Sequence, residues 1–249
     1  MGDYDCVAEP RRASNLSYNL RNPHNPMESN SDSYTLAVAI REQFPEMSRR
    51  PFEPWQTPPL NVLDCVLSLY RRYQSFCYPR VLKFSERRRE ITTLAGLRRL
   101  IGDYPTPLAF ITEELNYRDE RRAITLVGVT DYLLAAQQDH AGTTEQERLE
   151  NWARAAKPED CWNVGVRGFG LAGFQYMRML FGAQTAKPDV HIRGFVSDTL
   201  KRRVNDIQAL TLLEHAAGIL KKPAADVDYS IWLRRSGGEI QNEPGEHCV

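Results

Sequence analysis

Apolar residues recur at helical spacing along almost all of the chain between residues 34 and 236. The stretch "PLNVLDCVLSLYRRYQSFC" shows the pattern well. Leu60, Leu63, Val66, Leu67 and Tyr70 fall on one face, while Arg71, Arg72 and Gln74 point away,. Further helices are expected in "SYTLAVAIREQF", with Ser33 as the N-cap, and in "TLAGLRRLIGDY", "LAFITEELN" and "RDERRAITLVGVTDYLLAAQQ",. "TTEQERLENWARAA" carries Thr144 and Glu147 at capping-box spacing,. "KPEDCWNVGV", "LAGFQYMRMLFG", "DVHIRGFVSDTL", "NDIQALTLLEHAAGIL" and "PAADVDYSIWLRRSG" complete the series. "PFEPWQTPP" reads as an extended link, because proline is excluded from a helix interior,. No alternating pattern is long enough for a strand, and no internal repeat is found. The expected class is all-α.

The ends differ. Residues 1–33 are rich in Asn, Ser, Pro and charge, lack periodicity, and read as a disordered or loosely wrapped tail; residues 237–249 read as a second tail,. The opening "MGDYDCVAEPRR" has no apolar signal core, and no apolar run approaches the roughly 18 residues needed to span a bilayer,. These features predict an intracellular protein, cytoplasmic and nucleoid-associated if bacterial, without a membrane partner.

Composition narrows the chemistry only a little. A hydrophobic share of 42% and a charged share of 26% are those of an ordinary globular protein,. The formal net charge of zero argues against a surface that clings everywhere to nucleic acid, but leaves room for a local basic face,. Basic residues cluster in "ERRRE" (86–90), "RDERR" (118–122), "KRR" (201–203) and "LRR" (233–235). The five cysteines are scattered, odd in number and without a C-x-x-C, so neither a disulfide framework nor a zinc or iron–sulfur site is expected,. Cys65 and Cys77 read as small core residues,.

The distinctive stretch is "VRGFGLAGF", followed one helix later by "KPDVHI". Gly168 and Gly170 can take positive φ and leave no Cβ in the way. The N–H groups of the turn and of a helix starting near Leu171 would then point outward, an arrangement that binds anions such as phosphate. A plain connector between helices has the same composition. Asp189 lies at the next helix start, where it can cap the helix and still face a groove.

These residues resemble the helix-hairpin-helix DNA glycosylases, the base-excision enzymes related to endonuclease III and to the adenine, oxoguanine and alkylbase glycosylases. "VRGFGLAGF" lies over the family's hairpin and "PDVHI" over its Val-Asp-Thr-His element, with matching spacing. "VLDCVLSLYRRYQ", "LNYRDERRAITLVGVTDYLL" and "ADVDYSIWLRRSG" are similar to flanking family segments, so the resemblance covers roughly residues 60–237. It implies two helical lobes with the hairpin at a central DNA-binding cleft. Residues 60–184 would form a six-helix lobe, and residues 34–59 with 185–236 the second lobe. It implies Asp189 as the catalytic carboxylate and Gly168, Phe169, Gly170, Leu171 and Ala172 as DNA contacts, with a monovalent cation possible at the hairpin and no other cofactor. Tyr70 falls at the family's wedge position, and helical spacing makes a core role for it equally open. Tyr73, Tyr117, Trp162 and His191 are candidates for the base pocket,.

Three departures refine the expectation. The hairpin position that carries a Schiff-base lysine in lyase members is Ala172, Phe174 replaces a small alanine, and the four-cysteine cluster is missing,. The expected function is therefore a monomeric, monofunctional glycosylase. It would flip a damaged or modified base out of double-stranded DNA and hydrolyse it away, in repair or in defence against foreign DNA. The alternatives are an inactive hairpin DNA-binding relative and an all-α protein-interaction scaffold.

Overall fold

The computed structural model describes residues 26–47 and 55–237. Among these the chain is all-α: eleven α-helices and no strand. They are α1 (Pro26–Gln43), α2 (Pro58–Ser68), α3 (Tyr78–Arg87), α4 (Leu94–Gly102), α5 (Pro107–Leu115), α6 (Glu120–Ala136), α7 (Glu145–Ala155), α8 (Leu171–Leu180), α9 (Val190–Leu200), α10 (Asp206–Leu220) and α11 (Ala224–Ser236). None is long and apolar enough to cross a membrane.

Local chemistry sets most of the starts. Thr93, Thr106, Asp119 and Asn205 each accept a hydrogen bond from a backbone N–H of the first turn they precede,. The expected capping box is present at α7, where Thr144 and Glu147 satisfy each other's backbone N–H,. Pro58 and Pro59 open α2, at positions where a missing N–H costs nothing,. The hydroxyl of Thr57, the N-cap there, makes no capping bond.

α2 is buried along its whole length, as an apolar helix at the centre of a core must be,. It packs on α3, α4, α6 and α8. A second set of contacts joins α1, α9, α10 and α11, and α8 meets α10 between the two sets. One continuous apolar core runs through both, from Leu36 and Ile40 of α1 to Val227 and Ile231 of α11.

Four expectations about elements change. α1 begins at Pro26, so Ser33 lies inside it and is buried instead of capping it. The segment "PMESNSDS" shows no apolar period; the turns after it are held by Leu36, Ala37, Ile40 and Phe44, packed toward α9 and α10,. The rest of the expected N-terminal tail, and the C-terminal tail beyond Gly237, lie outside the described residues. The single helix expected over 59–77 ends at Ser68. The chain then turns through Tyr70 at φ 59°, enters a π-helical turn at Tyr73–Cys77, and continues as α3, which the periodicity did not single out. "KPEDCWNVGV" forms a short 3₁₀ segment, Pro158–Val164, closed by Gly165 at φ 67°.

α3 and α5 are joined by a buried carboxylate. Glu114 accepts from Arg88 and from the Tyr104 hydroxyl, with Arg87 at 3.3 Å. Burial opposes its charge, but Arg88, Tyr104 and then Arg87 outweigh burial and hold the carboxyl below its ordinary value,. A depressed folded-state pKa contributes stability that is present above the unfolded value and lost as pH falls through the folded one. Glu114→Gln is therefore expected to destabilise the fold by about 1–2 kcal/mol at neutral pH, the arginines being partly solvated. The gap between variant and wild type, followed by denaturant unfolding, should close below about pH 4. A gap that stays constant down to acid pH would show that the carboxylate's charge contributes nothing.

Candidate functional site

A cleft of about 2140 Å³ opens between the two sets of helices. Gly168, Gly170, Leu171 and Ala172 line one stretch of it, and Lys187, Pro188, Asp189 and His191 another.

Gly168 sits at φ 87°, where only glycine is unstrained,. Gly170 departs from the expectation: its φ of −95° and ψ of −166° are extended, and it acts as the N-cap of α8. It offers no side chain to the first turn, so the α8 N-terminus keeps N–H groups that helix geometry leaves without partners. The first of these bonds within the helix is Phe174 N–H to Gly170 O, at 3.0 Å. Of the five proposed contact residues, Phe169 turns its side chain inward. It is 5% exposed, does not line the cleft, and its ring lies where a Cβ on Gly173 would meet it. The Leu171 side chain is buried as well, so these two can meet a ligand only through the backbone.

Asp189 is the N-cap of α9. Its Oδ1 accepts from the N–H groups of His191 (2.8 Å) and Ile192 (3.2 Å). Its own N–H donates to Lys187 O at 2.7 Å, a tight turn imposed around Pro188. The carboxyl group is held on a rigid helix end at the cleft wall while its second oxygen is left out of the cap. The preceding backbone is pinned by Lys187 N–H donating to Asp228 Oδ1 at 2.8 Å.

The structure adds a group that the sequence reading missed. Asp64, on the central helix α2, is 1% exposed and lines the cleft. Its Oδ2 accepts from Trp55 Nε1 and from the Tyr73 hydroxyl, each at 2.7 Å, and its Oδ1 from the Tyr176 hydroxyl at 2.9 Å. Burial pushes its carboxyl upward, against those three hydrogen bonds and the charge of Lys187,. The Lys187 ammonium stacks 4.1 Å from the centroid of the Tyr176 ring,. The available signal was a lone acid in the otherwise apolar run "NVLDCVLSL". Cys65 and Cys77 are buried beside it, as expected of core residues, with thiols pushed upward by burial.

The aromatic candidates separate. Tyr73 and His191 line the cleft. Tyr70 is not core: it is 87% exposed, lines the cleft, and holds a left-handed backbone that costs a non-glycine residue about 1–2 kcal/mol,. Tyr117 and Trp162 do not line the cleft. The Tyr117 hydroxyl accepts from Arg71 (3.0 Å) and donates to Asp119 (2.6 Å), so it positions an arginine that does line it. Trp162 is 73% exposed, on the 3₁₀ segment, because no helix packs over it. Trp55, Tyr78 and Tyr176, not singled out from the sequence, take their place.

Basic residues converge on the cleft in part. Arg71, Arg72, Arg88, Arg89, Arg193 and Arg235 line it. Arg88, Arg193 and Arg235 are paired with Glu114, Asp206 and Asp198. Residues 201–203 line a separate, shallower depression, and Arg202 pairs with Asp32. Among the described residues no group of three or more His, Cys, Asp or Glu side chains could hold a metal ion.

No curated protein and no solved structure matches the chain. One family model, described as a domain of unknown function (DUF8548), matches residues 35–236. That span runs from α1 to the end of α11 and takes in both walls of the cleft, with Asp64, the Gly168–Ala172 turn and Asp189. The chain belongs to the DUF8548 family.

Proposed function

We propose that the protein is a monofunctional DNA N-glycosylase, acting on a base extruded from double-stranded DNA. The observation that carries the reading is that an uncapped helix N-terminus and a helix-capping carboxylate, Asp189, share one cleft with an aromatic-lined recess. Each supplies a separate requirement of the chemistry. The α8 N-terminus suits a backbone phosphate. Asp189, with one oxygen held by backbone N–H groups, would stabilise the positive charge that builds on the sugar as the N-glycosidic bond breaks, and orient the attacking water. Tyr70, exposed at the cleft, would fill the gap left by the extruded base. Arg71, Arg72 and Arg89 would add phosphate contacts on the same face. The helix-hairpin-helix resemblance supports the same assignment for the 3₁₀ segment, the Gly168–Gly170 turn and α8. With Ala172 at the nucleophile position and Lys187 stacked on Tyr176, water is the acceptor and an abasic site the product.

Asp189→Asn is expected to lower single-turnover base release by at least 10²–10³-fold while DNA affinity holds, since it removes charge but keeps size and capping ability. The assay is abasic-site formation on a panel of duplexes with damaged and hypermodified bases, followed by borohydride treatment. A trapped protein–DNA adduct would make the enzyme a lyase. Undiminished release by the variant would move the chemistry elsewhere.

Gly170→Val tests the phosphate contact cleanly. Gly170 needs no positive φ, and nothing lies within 4 Å of an added Cβ, so folding should be spared. Its side chain would crowd the approach to the α8 N–H groups, and affinity should fall about tenfold, equally for modified and unmodified duplexes. Gly168→Val, by contrast, should cost thermal stability, because Gly168 does occupy the left-handed region,. A folded Gly170→Val protein that binds DNA as tightly as wild type reduces the turn to a connector.

A further inference from the structure

Breaking an N-glycosidic bond separates charge. The sugar becomes positive, and the electron pair of the bond leaves with the base. Asp189 answers the first half of that separation; the second half calls for a cation where the base departs. The same turn carries one. Lys187 lies two residues before Asp189, is half-buried, and lines the cleft. Its backbone is held on both sides: its N–H donates to Asp228 Oδ1 at 2.8 Å, and its carbonyl accepts from the Asp189 N–H at 2.7 Å. Ammonium and carboxylate therefore stand on one turn, their α-carbons no more than about 7 Å apart. The lysine side chain lies against an aromatic wall, with its ammonium 4.1 Å from the centroid of the Tyr176 ring,. Tyr176 donates its hydroxyl to Asp64, which also takes hydrogen bonds from Trp55 and Tyr73, and Tyr78 adjoins those two at ring separations of 5.7 and 6.3 Å. Lys187 thus brings its charge to the aromatic recess. Among the described residues it forms no salt bridge there. Burial pushes the Asp64 carboxyl toward its neutral form, and Lys187 is the weakest of the influences that oppose burial,.

We propose that Lys187 meets the negative charge of the departing base, and that the substrates are bases that are uncharged in DNA and leave as anions. The inference rests on the glycosylase reading and names the substrate class of that site. An N-alkylated purine is already a cation, leaves as a neutral molecule, and is repelled by the ammonium. An oxidised, deaminated or ring-substituted base gains its charge only as the bond breaks, so the ammonium stabilises the transition state more than the ground state. The step balances. The C1′–N bond breaks with its electron pair going to the base, water gives its hydroxyl to C1′, and the proton of that water passes through Asp189 and solvent to the base anion.

The test uses full-length protein and two pairs of duplexes, each with one central 2′-fluoroarabino nucleotide that resists cleavage, opposite a tetrahydrofuran abasic analogue. Guanine is compared with N7-methylguanine, which adds a positive charge, and 5-methylcytosine with 5-carboxycytosine, which adds a negative one. Affinities are read by fluorescence anisotropy. Wild type is expected to bind the more negative member of each pair about tenfold more tightly, and Lys187→Gln to bring both pairs within about twofold. Lys187→Met keeps an unbranched stem against Tyr176 without the charge; it should act like Lys187→Gln and serves if that variant does not fold. Lys187→Arg should keep the preference. A lysine that only packs on Tyr176 would lower the melting temperature in the uncharged variants and leave the preference as it was. Equal affinities within both pairs for wild type, or an unchanged preference in both uncharged variants, would overturn the inference. Base release is measured in parallel on cleavable counterparts with wild type and Asp189→Asn. A preference that depends on Lys187, in a protein whose base release is absent or indifferent to Asp189→Asn, leaves the charge-reading lysine standing and removes the glycosylase reading. Release that depends on Asp189 without any charge preference does the reverse. Failure to bind all four duplexes overturns both.

Discussion

Burying the Asp64 carboxyl group at the centre of the fold is costly, and the site depends on how that cost is met,. A charge taken out of water loses several kcal/mol of hydration even after the protein relaxes, and only close, well-aimed partners return it. Those partners come from three places that no helix contact alone would bring together. Trp55 precedes α2, Tyr73 belongs to the π-helical turn after it, and Tyr176 lies on α8. Satisfying one acid therefore fixes the entry to the central helix, the irregular segment that leaves it, and the helix that begins at the Gly168–Gly170 turn. The π-helical turn is explicable on the same ground, since it delivers both Tyr73 and the buried Cys77 back to Asp64,.

A second polar network sets the other wall. Arg178 of α8, its guanidinium's charge opposed by burial, donates to Gln175 Oε1 at 2.7 Å and to Ala153 O of α7 at 3.0 Å. Gln175 donates to Thr185 at 2.7 Å, and Thr185 to Glu214 of α10 at 2.6 Å. The loop carrying Lys187 and Asp189 is thus tied at its start to both α8 and α10, and two residues later to Asp228 of α11. Asp64 and Asp189 sit on different sets of helices, but α8 belongs to both networks. It links the register of one wall to the other through these hydrogen bonds,.

What the sequence made legible follows from what is local. Thr144 with Glu147, and Asp189 before an apolar run, identified helix starts because capping involves only neighbours within a turn. Helical periodicity recovered the presence of α2, α6 and α10 for the same reason,. The misreadings share a cause in tertiary structure. Tyr70 continues the apolar spacing of α2, but spacing records a face and not the residue at which the chain leaves it; Leu69 turns away first, at ψ 113°. Gly170 looked like a second left-handed glycine because composition does not separate a turn residue from an N-cap. Asp64 was passed over as one acid among apolar residues. Its partners lie 9 residues away on either side and 112 away on α8, and no local pattern joins them.

Tyr70 shows how much of this arrangement is held in place instead of merely permitted. A tyrosine at φ 59° is strained, and strain of this kind persists only where neighbours over-determine it,. The neighbour is Arg122 of α6. Its Nη2 donates to Leu69 O at 2.8 Å, the carbonyl of the peptide that leads into Tyr70, and its guanidinium lies 6.0 Å from the Tyr70 ring. On the other side of the bend, Arg71 is held by Tyr117, which also bonds Asp119 just ahead of α6. Two arginines and a tyrosine thus keep an aromatic ring out in solvent at the mouth of the cleft, although the ring would gain hydrophobic free energy by folding back onto the core. Packing alone gives no reason for that expense. In the proposed reading it is the preorganisation a wedge requires. On that reading, a ring positioned before DNA arrived would lose its entropy in folding and not in the binding step.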